Sequence, residues 1–256
     1  MKSLHNEYLS IATNIKEDRI EYQCVEVNMT GFLAYDASLP YKKPLIILIH
    51  EWWGLNDYIK SRARQFAHLG YCAFAIDIYG NGQVADNPTD AGKLAEPFYK
   101  DTLMTKAHFD AALEKVVSLE VADTRKTIAL GYCFGGGMAL NMARLGANIH
   151  AAVSIHGSLS GVSKINNKIN AATLVCHGED DKFIDEAEVQ GFKAEMKAVG
   201  AEYYFKSYAG ATHAFSNPNA TAMGEKFNLP IAYNELADKE SWKDIIHFLD
   251  QVLKSE

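Results

Sequence analysis

The sequence has no excess of basic residues, since it holds 25 lysines and arginines against 32 aspartates and glutamates. The formal net charge of -7 argues against the cationic surface that binds nucleic acid, so no nucleic-acid partner is expected. No apolar run is long enough to cross a membrane, and residues 1–23 lack the apolar core of a secretory signal. A cytoplasmic protein with no membrane partner is therefore expected.

Cysteine is also scarce. The four cysteines show no C-x-x-C spacing of the kind that zinc sites use, so no metal site is expected; they are Cys24, Cys72, Cys133 and Cys176. Three of them lie in strand-like runs and are expected to be reduced structural residues, which suits a reducing compartment. Internal repeats and low-complexity segments are absent too, so residues 1–256 are expected to form one domain.

Apolar runs alternate with amphipathic segments along the chain. Buried strands are predicted at residues 45–49, 71–77, 127–130, 151–155, 172–176 and 202–208. Helices are predicted at residues 57–69, 103–119, 186–199 and 234–253. This alternation predicts an α/β fold with a doubly wound, mostly parallel sheet and helices on both faces.

Two segments outside this alternation need separate predictions. Alternating residues at 20–27 and 31–35, with Asn28 to Gly31 between them, predict a hairpin that forms an antiparallel edge of the sheet. Residues 83–100 are polar and contain two prolines, so they are expected to form a loop with short helical turns.

The most informative stretch is Gly131-Tyr132-Cys133-Phe134-Gly135-Gly136, which follows the predicted strand at 127–130. Its G-x-C-x-G spacing matches a nucleophile elbow with sulfur in place of the usual serine oxygen. Side chains at Gly131 and Gly135 would clash in so sharp a turn. The turn would also place Cys133 at a helix N-terminus, where the dipole favours a thiolate. The alternative is a small buried cysteine in a tight turn.

Further polar side chains follow other predicted strands. Glu51 follows the strand at 45–49, Asp180 and Asp181 follow the strand at 172–176, and His213 follows the last strand. Because the carboxyl ends of parallel strands meet at one edge, we expect these groups near Cys133. The order of nucleophile, acid and histidine is that of the α/β-hydrolases.

Each group has a chemical role that suits this arrangement. Cys133 is the expected nucleophile, His213 its base, and Asp181 the group that orients the imidazole. Backbone N–H groups of Trp52 and Phe134 are candidates for an oxyanion hole. Each residue could instead be structural: the acids could be loop residues or helix caps. Structural roles are expected for the other strand-end histidines, namely His50, His156 and His177.

Four motifs together resemble the dienelactone hydrolase family, and the similarity runs from about residue 20 to the C-terminus. They are His50-Glu51-Trp52-Trp53-Gly54-Leu55-Asn56, Gly131-Tyr132-Cys133-Phe134-Gly135-Gly136, His177-Gly178-Glu179-Asp180-Asp181-Lys182-Phe183-Ile184 and Thr212-His213-Ala214-Phe215. The resemblance implies an α/β-hydrolase fold and a Cys–His–Asp triad with no cofactor. It selects Asp181 over Asp180, and it assigns Glu51 to a carboxylate that interacts with the nucleophile thiol.

The sequence departs from the dienelactone-cleaving members at two positions. Those members carry arginines that bind the substrate carboxylate, where this chain has Asn81 and Asn217. Asparagine cannot make a charge-assisted bidentate contact, so an anionic lactone is not the expected substrate. Both asparagines are candidate substrate-binding residues. The nearby Arg62 and Arg64 are expected to point to solvent.

The predicted function is hydrolysis of a small-molecule ester or lactone through an acyl thioester on Cys133. One alternative is a non-catalytic α/β-hydrolase-like protein that uses Cys133 for redox sensing or ligand binding. Another is an enzyme that acts on thioesters or peptides. The sequence does not indicate the oligomeric state.

Overall fold

The computed structural model describes residues 13–162 and 168–254. The strands of these residues are β1 Ile15–Cys24, β2 Val27–Asp36, β3 Lys43–Ile49, β4 Cys72–Ile76, β5 Ala122–Tyr132, β6 Ala151–Ile155, β7 Ala172–Gly178 and β8 Tyr203–Tyr208. They form one sheet in the order β1-β2-β4-β3-β5-β6-β7-β8. The pairs β1–β2 and β2–β4 are antiparallel, and the remaining pairs are parallel. The expected antiparallel edge is confirmed.

Helices cover both faces of the sheet. Those of the described residues are α1 Asp57–His68, α2 Pro88–Lys100, α3 Thr102–Val117, α4 Phe134–Arg144, α5 Glu186–Ala198, α6 Ala220–Phe227 and α7 Glu235–Val252. Phe66 of α1 and Phe248 of α7 pack into the core on one face. Phe109 of α3 and Phe192 of α5 pack into the core on the other. This arrangement confirms the predicted α/β-hydrolase fold.

The predicted hairpin turn is wrong in position. The chain turns at Val25 and Glu26, and the residues predicted to turn, Asn28 to Gly31, pair within β2. Gly31 was interpreted as a turn residue, but its role is steric. A Cβ at Gly31 would lie 2.3 Å from the ring of Phe74, so the strand packs there only with glycine.

Residues 83–100 are also more regular than predicted, because residues 88–100 form α2. Asn87 caps the helix by accepting a hydrogen bond from the Asp90 N–H, and Pro88 occupies the first turn, where proline is tolerated. The buried side chains of Ala91, Ala95 and Phe98 then anchor α2 to the core. No element was predicted at the position of α6.

Two further expectations concern the termini and the thiols. No helix of the described part of the chain is long and apolar enough to cross a membrane. The expectation of no secretory signal in residues 1–23 falls partly on residues 1–12, which lie outside the described residues.

The three strand cysteines are buried and form no disulfide, as expected; they are Cys24, Cys72 and Cys176.

Candidate active site

The nucleophile elbow forms where predicted. β5 ends one residue before Cys133 and α4 begins one residue after it. The Cys133 backbone has φ 52° and ψ −117°, a region that L-residues rarely adopt. A Cβ at Gly131 would lie 2.0 Å from the Gly135 carbonyl oxygen, and one at Gly135 would lie 2.2 Å from the Ile49 carbonyl oxygen. Only glycine therefore fits at either position.

The structure brings together the three side chains predicted to form the triad. Cys133 Sγ lies 3.0 Å from His213 Nε2, and His213 Nδ1 lies 2.8 Å from Asp181 Oδ2. The other Asp181 oxygen accepts the Phe183 N–H at 2.9 Å, which fixes the carboxylate. Asp181 is buried and Asp180 is exposed, so the acid selected by the resemblance is the one that contacts the imidazole.

The electrostatic surroundings of His213 favour a charged imidazole. Burial acts against the charged form, but the Cys133 sulfur and the Asp181 carboxylate outweigh it and raise the pKa of His213 to about 10. At neutral pH the ring therefore carries protons on both nitrogens and can donate to both neighbours. A charged ring in this position stabilises negative charge on a neighbouring group.

Glu51 lies in the same cavity but has a different partner from the one expected. Its Oε2 accepts a hydrogen bond from Asn217 Nδ2 at 2.7 Å, whereas the Cys133 sulfur contacts His213. Burial raises the pKa of Glu51 to about 7, against the lowering effects of the Asn217 hydrogen bond and of positive His213 and Arg62. The carboxyl group is thus poised to gain or lose a proton near neutral pH.

Cys133 and His213 face an apolar cavity of about 370 Å³. Its polar lining residues are Glu51, Cys133, Ser158 and His213, and lysine and arginine are absent from the described residues that line it. Its large apolar and aromatic walls come from Trp52, Trp53, Tyr99, Phe134, Phe183, Ile184, Leu229 and Ile231. These walls include Trp52 and Phe134, whose backbone N–H groups are the candidates for an oxyanion hole. Such a cavity suits a small, uncharged ligand.

Neither asparagine is among the described residues that line the cavity, and substrate binding by Asn81 and Asn217 stays a prediction. Asn81 adopts φ 55°, and its N–H donates to the Asn28 carbonyl oxygen at 2.6 Å. It lines separate surface depressions beside β1 and β2. Asn217 is 3 % exposed and binds Glu51 instead. Its position relative to His213 placed it near the site, but its partner depends on the tertiary structure.

Arg62 was expected to face solvent and is buried instead. It forms an ion pair with Asp238 and donates from Nη2 to the Ser216 carbonyl oxygen at 2.7 Å. These partners follow it by 154 and 176 positions, so nothing in the local pattern around α1 indicated them. Arg64 remains partly exposed and pairs with Glu17 at 2.8 Å.

The three other strand-end histidines are buried, and the ring of His156 accepts a hydrogen bond from the elbow backbone. His50 Nε2 accepts the Ile78 N–H at 3.3 Å, and burial lowers its pKa to about 4. His156 Nδ1 accepts the Cys133 N–H at 3.1 Å, and its ring centroid lies 5.4 Å from that of His213. Sequence reasoning missed this contact. The only available signal was the position of His156 directly after β6.

Comparison with known proteins identifies the family. The model of the dienelactone hydrolase family matches residues 29–253. The chain belongs to the dienelactone hydrolase family. As a member, it is a hydrolase of the carboxylic ester type, which confirms the predicted enzyme class.

Individual relatives match over almost their whole length. Protein usf of Aquifex pyrophilus is 31 % identical over 240 residues, which cover 91 % of this chain and 98 % of that protein. The solved structure of m3DLH has a TM-score of 0.88 and 31 % identity, covering 93 % of this chain and 98 % of that one. A dienelactone hydrolase-like promiscuous phosphotriesterase from metagenomic libraries has a TM-score of 0.87 and 26 % identity, covering 94 % and 99 %.

Proposed function

We propose that this protein hydrolyses small neutral esters or lactones through an acyl thioester on Cys133. The observation that carries the proposal is the continuous contact from Cys133 through His213 to Asp181 beside an apolar cavity. The three groups supply a nucleophile, a proton carrier and an orienting anion within hydrogen-bond reach of one another.

The first half of the reaction forms the thioester. The Cys133 thiolate attacks the carbonyl carbon, and the carbonyl electron pair moves to the oxygen. N–H groups of Trp52 and Phe134 stabilise this oxyanion. As the oxyanion collapses, the bond to the leaving oxygen breaks, and His213 gives its Nε2 proton to that oxygen. The alcohol, or the hydroxyl end of an opened lactone, is released.

The second half restores the enzyme. His213, now neutral, takes a proton from water as the water oxygen attacks the thioester carbonyl. The tetrahedral adduct expels the Cys133 thiolate and leaves a carboxylic acid. Asp181 keeps the Nδ1 proton of His213 in place through both halves, so that Nε2 always faces the reacting atoms.

Replacement of the sulfur tests the nucleophile. Cys133→Ala is expected to abolish hydrolysis of an activated aryl ester and to remove the burst of released phenol. Mass spectrometry of wild type quenched during turnover should show an acyl group on the Cys133 peptide. Cys24→Ala is the control, because Cys24 lies on β1 at the edge of the sheet. Near-wild-type turnover by Cys133→Ala would refute the assignment.

The lining of the cavity supports a neutral substrate. It contains the carboxyl group of Glu51 and, among the described residues, no lysine or arginine, while the charged ring of His213 is already held between Cys133 and Asp181. A charge-assisted hydrogen bond contributes roughly 1.5–3 kcal/mol, or about one to two decades in affinity. A neutral ester should therefore have a kcat/KM at least equal to that of an anionic lactone of similar size. A strong preference for the anionic lactone would contradict the proposal.

Two rival functions predict different outcomes of the same assays. A non-catalytic protein that uses Cys133 for redox sensing or ligand binding would show neither a burst nor turnover. An enzyme for thioesters or peptides would form the acyl adduct but would turn over those substrates faster than oxygen esters. Comparing an aryl ester, its thioester and its anilide separates the three.

A second candidate activity is hydrolysis of neutral phosphotriesters. The related promiscuous phosphotriesterase, at 26 % identity, and the uncharged apolar walls of the cavity favour it. The thiolate would attack phosphorus and expel an aryloxide, leaving a phosphorylated sulfur that water then hydrolyses. Incubation with an aryl dialkyl phosphate tests this directly. A stoichiometric adduct without turnover would show inhibition instead of catalysis.

We also propose that the chain forms one domain and works in a reducing compartment. One sheet spans the described residues, which supports one domain over residues 1–256. Four unpaired thiols support a reducing compartment such as the cytoplasm. Labelling of the thiols in intact cells and after extraction would test their redox state.

A further inference from the structure

A chain of buried hydrogen bonds leads away from the backbone of the nucleophile. The Cys133 N–H donates to His156 Nδ1 at 3.1 Å. His156 Nε2 lies 2.7 Å from Ser216 Oγ, and Ser216 Oγ lies 2.8 Å from the Tyr58 hydroxyl. Arg62 Nε donates to that hydroxyl at 3.4 Å. The chain therefore connects the elbow to α1 through the core of the molecule.

The direction of these bonds follows from the state of His156. Burial and the positive charges of His213 and Arg62 lower the pKa of His156 well below its usual value, so the ring is neutral. Because Nδ1 accepts a hydrogen bond, the single ring proton is on Nε2 and is donated to Ser216. His156 therefore links two partners without competing for the proton of the triad.

Ser216 belongs to the loop that carries His213, three positions further along the chain. Arg62 of α1 contacts the same loop by donating to the Ser216 carbonyl oxygen at 2.7 Å. It also forms an ion pair with Asp238 of α7. His156 thus joins two loops, one carrying the sulfur and the other carrying the imidazole. The relative position of these loops sets the 3.0 Å contact between the reacting side chains.

Cys133 and His156, the two residues of the first hydrogen bond in this link, have unusual backbone geometry. Cys133 has φ 52° and His156 has φ 41°, and residues in such conformations persist only where several contacts fix them. The Cys133 N–H has two acceptors, His156 Nδ1 and the Ile155 carbonyl oxygen at 3.0 Å. One acceptor of this N–H is therefore the backbone of β6 and the other is the His156 side chain.

We propose that His156 is a positioning residue that fixes the distance between the Cys133 sulfur and the His213 imidazole by tying the elbow to the His213 loop through Ser216. The proposal rests on the proposed function of Cys133. His156 is not among the residues that line the cavity, so its effect should reach kcat and leave KM almost unchanged. Small misplacements of reacting groups cost up to about 100-fold in rate.

The test compares His156→Leu with His108→Leu. His108 is the matched control, because it is a buried histidine of α3 whose ring also contacts a backbone group: its Nδ1 lies 2.7 Å from the Ile78 carbonyl oxygen. His156→Leu is expected to lower kcat for an aryl ester roughly 10- to 100-fold with little change in KM. It should also move the pH profile of Cys133 alkylation by iodoacetamide toward higher pH, because the imidazolium supports the thiolate less well. His108→Leu should change neither readout.

Three further variants keep the test decisive if His156→Leu does not fold. His156→Asn retains an acceptor where Nδ1 stands, His156→Gln retains the reach to Ser216, and Ser216→Ala removes only the bridging hydroxyl. Each is expected to give a kcat between those of wild type and His156→Leu.

The outcomes are distinguishable from failure of the proposed function. If wild type forms no acyl enzyme, the role of Cys133 is wrong and the positioning role falls with it. If wild type forms the acyl enzyme but all His156 and Ser216 variants keep its kcat and alkylation profile, only the positioning role is wrong. Equal losses of kcat in His156→Leu and His108→Leu would show a general effect of stability and would also overturn the inference.

Discussion

At the scale of single residues, chemically identical side chains differ in charge because their partners differ. His213 and His156 have ring centroids 5.4 Å apart, yet the pKa of His213 is raised and that of His156 is lowered. His213 lies between the Cys133 sulfur and the Asp181 carboxylate. His156 contacts a backbone N–H and a hydroxyl, and neither compensates for the loss of hydration of a charged ring.

Replacing the neighbouring acids Asp180 and Asp181 one at a time would measure how much the contact with His213 matters. Asp181→Asn is expected to lower kcat by orders of magnitude, approaching the roughly 10⁴-fold loss known for the corresponding change in a serine protease triad. An amide cannot fix the Nδ1 proton of His213 as the carboxylate does. Steady-state kinetics on a neutral aryl ester would measure the loss.

Asp180→Asn is the control for that experiment. It changes an exposed carboxyl group next to the proposed triad acid and is expected to alter kcat less than about threefold, since it loses no contact with the imidazole. Equal losses for the two variants would remove the distinction between the acids.

At the scale of elements, the junction of β5 and α4 depends on two glycines for a steric reason. The helix begins immediately after the nucleophile, so backbone atoms of the first turn lie against the end of the strand. The Gly135 carbonyl oxygen occupies the space that a side chain at Gly131 would need. Close packing of backbone against backbone leaves no flexible group that could yield.

Two glycine-to-alanine changes should therefore have opposite effects on stability. Gly131→Ala is expected to lower the free energy of unfolding by about 3 kcal/mol because of overpacking, and to reduce esterase activity. Gly191 lies in the middle of α5, and no atom lies near the position that its Cβ would take. Gly191→Ala is therefore expected to raise the free energy of unfolding by roughly 0.5–1 kcal/mol. Urea denaturation followed by circular dichroism would measure both. The same sign for the two changes would contradict the steric explanation.

At the scale of the whole molecule, burying a carboxyl group in the core couples stability to pH. Burial raises the pKa of Glu51 to about 7 from an ordinary value near 4.5. An acid whose pKa is higher in the folded state stabilises the fold at low pH, and that contribution is lost as the pH rises through the folded-state value. For Glu51, the free energy of unfolding is expected to fall by about 3 kcal/mol as the pH rises from about 4.5 to 7.

Glu51→Gln should remove this dependence, because an amide does not ionise and still offers Asn217 an acceptor oxygen. Relative to wild type, the variant is expected to gain about 3 kcal/mol in free energy of unfolding as the pH rises through that window. Denaturation at pH 5, 6, 7 and 8 would measure the gain, with the exposed Glu225→Gln as the control for loss of a surface carboxylate. Parallel stability curves for Glu51→Gln and wild type would show that Glu51 titrates in the same way folded and unfolded.

The sequence by itself determined the order of the strands along the chain and the location of the candidate site. A strand buried on both faces is a continuous apolar run, so β6 at residues 151–155 was predicted to the residue. Parallel strands have their carboxyl ends at one edge. For that reason Cys133, Asp181 and His213, which follow different strands, could be expected to meet.

The tertiary structure alone decided which partners the buried polar groups have. Asn217 binds Glu51 across 166 positions of the chain, and Arg62 reaches Asp238 across 176. The choice of glycine at Gly31 depends on the Phe74 ring of another strand. Local propensity and periodicity carry no information about such contacts. Burial and the identity of distant neighbours decide the charge of Glu51 and place His156 against the backbone of Cys133.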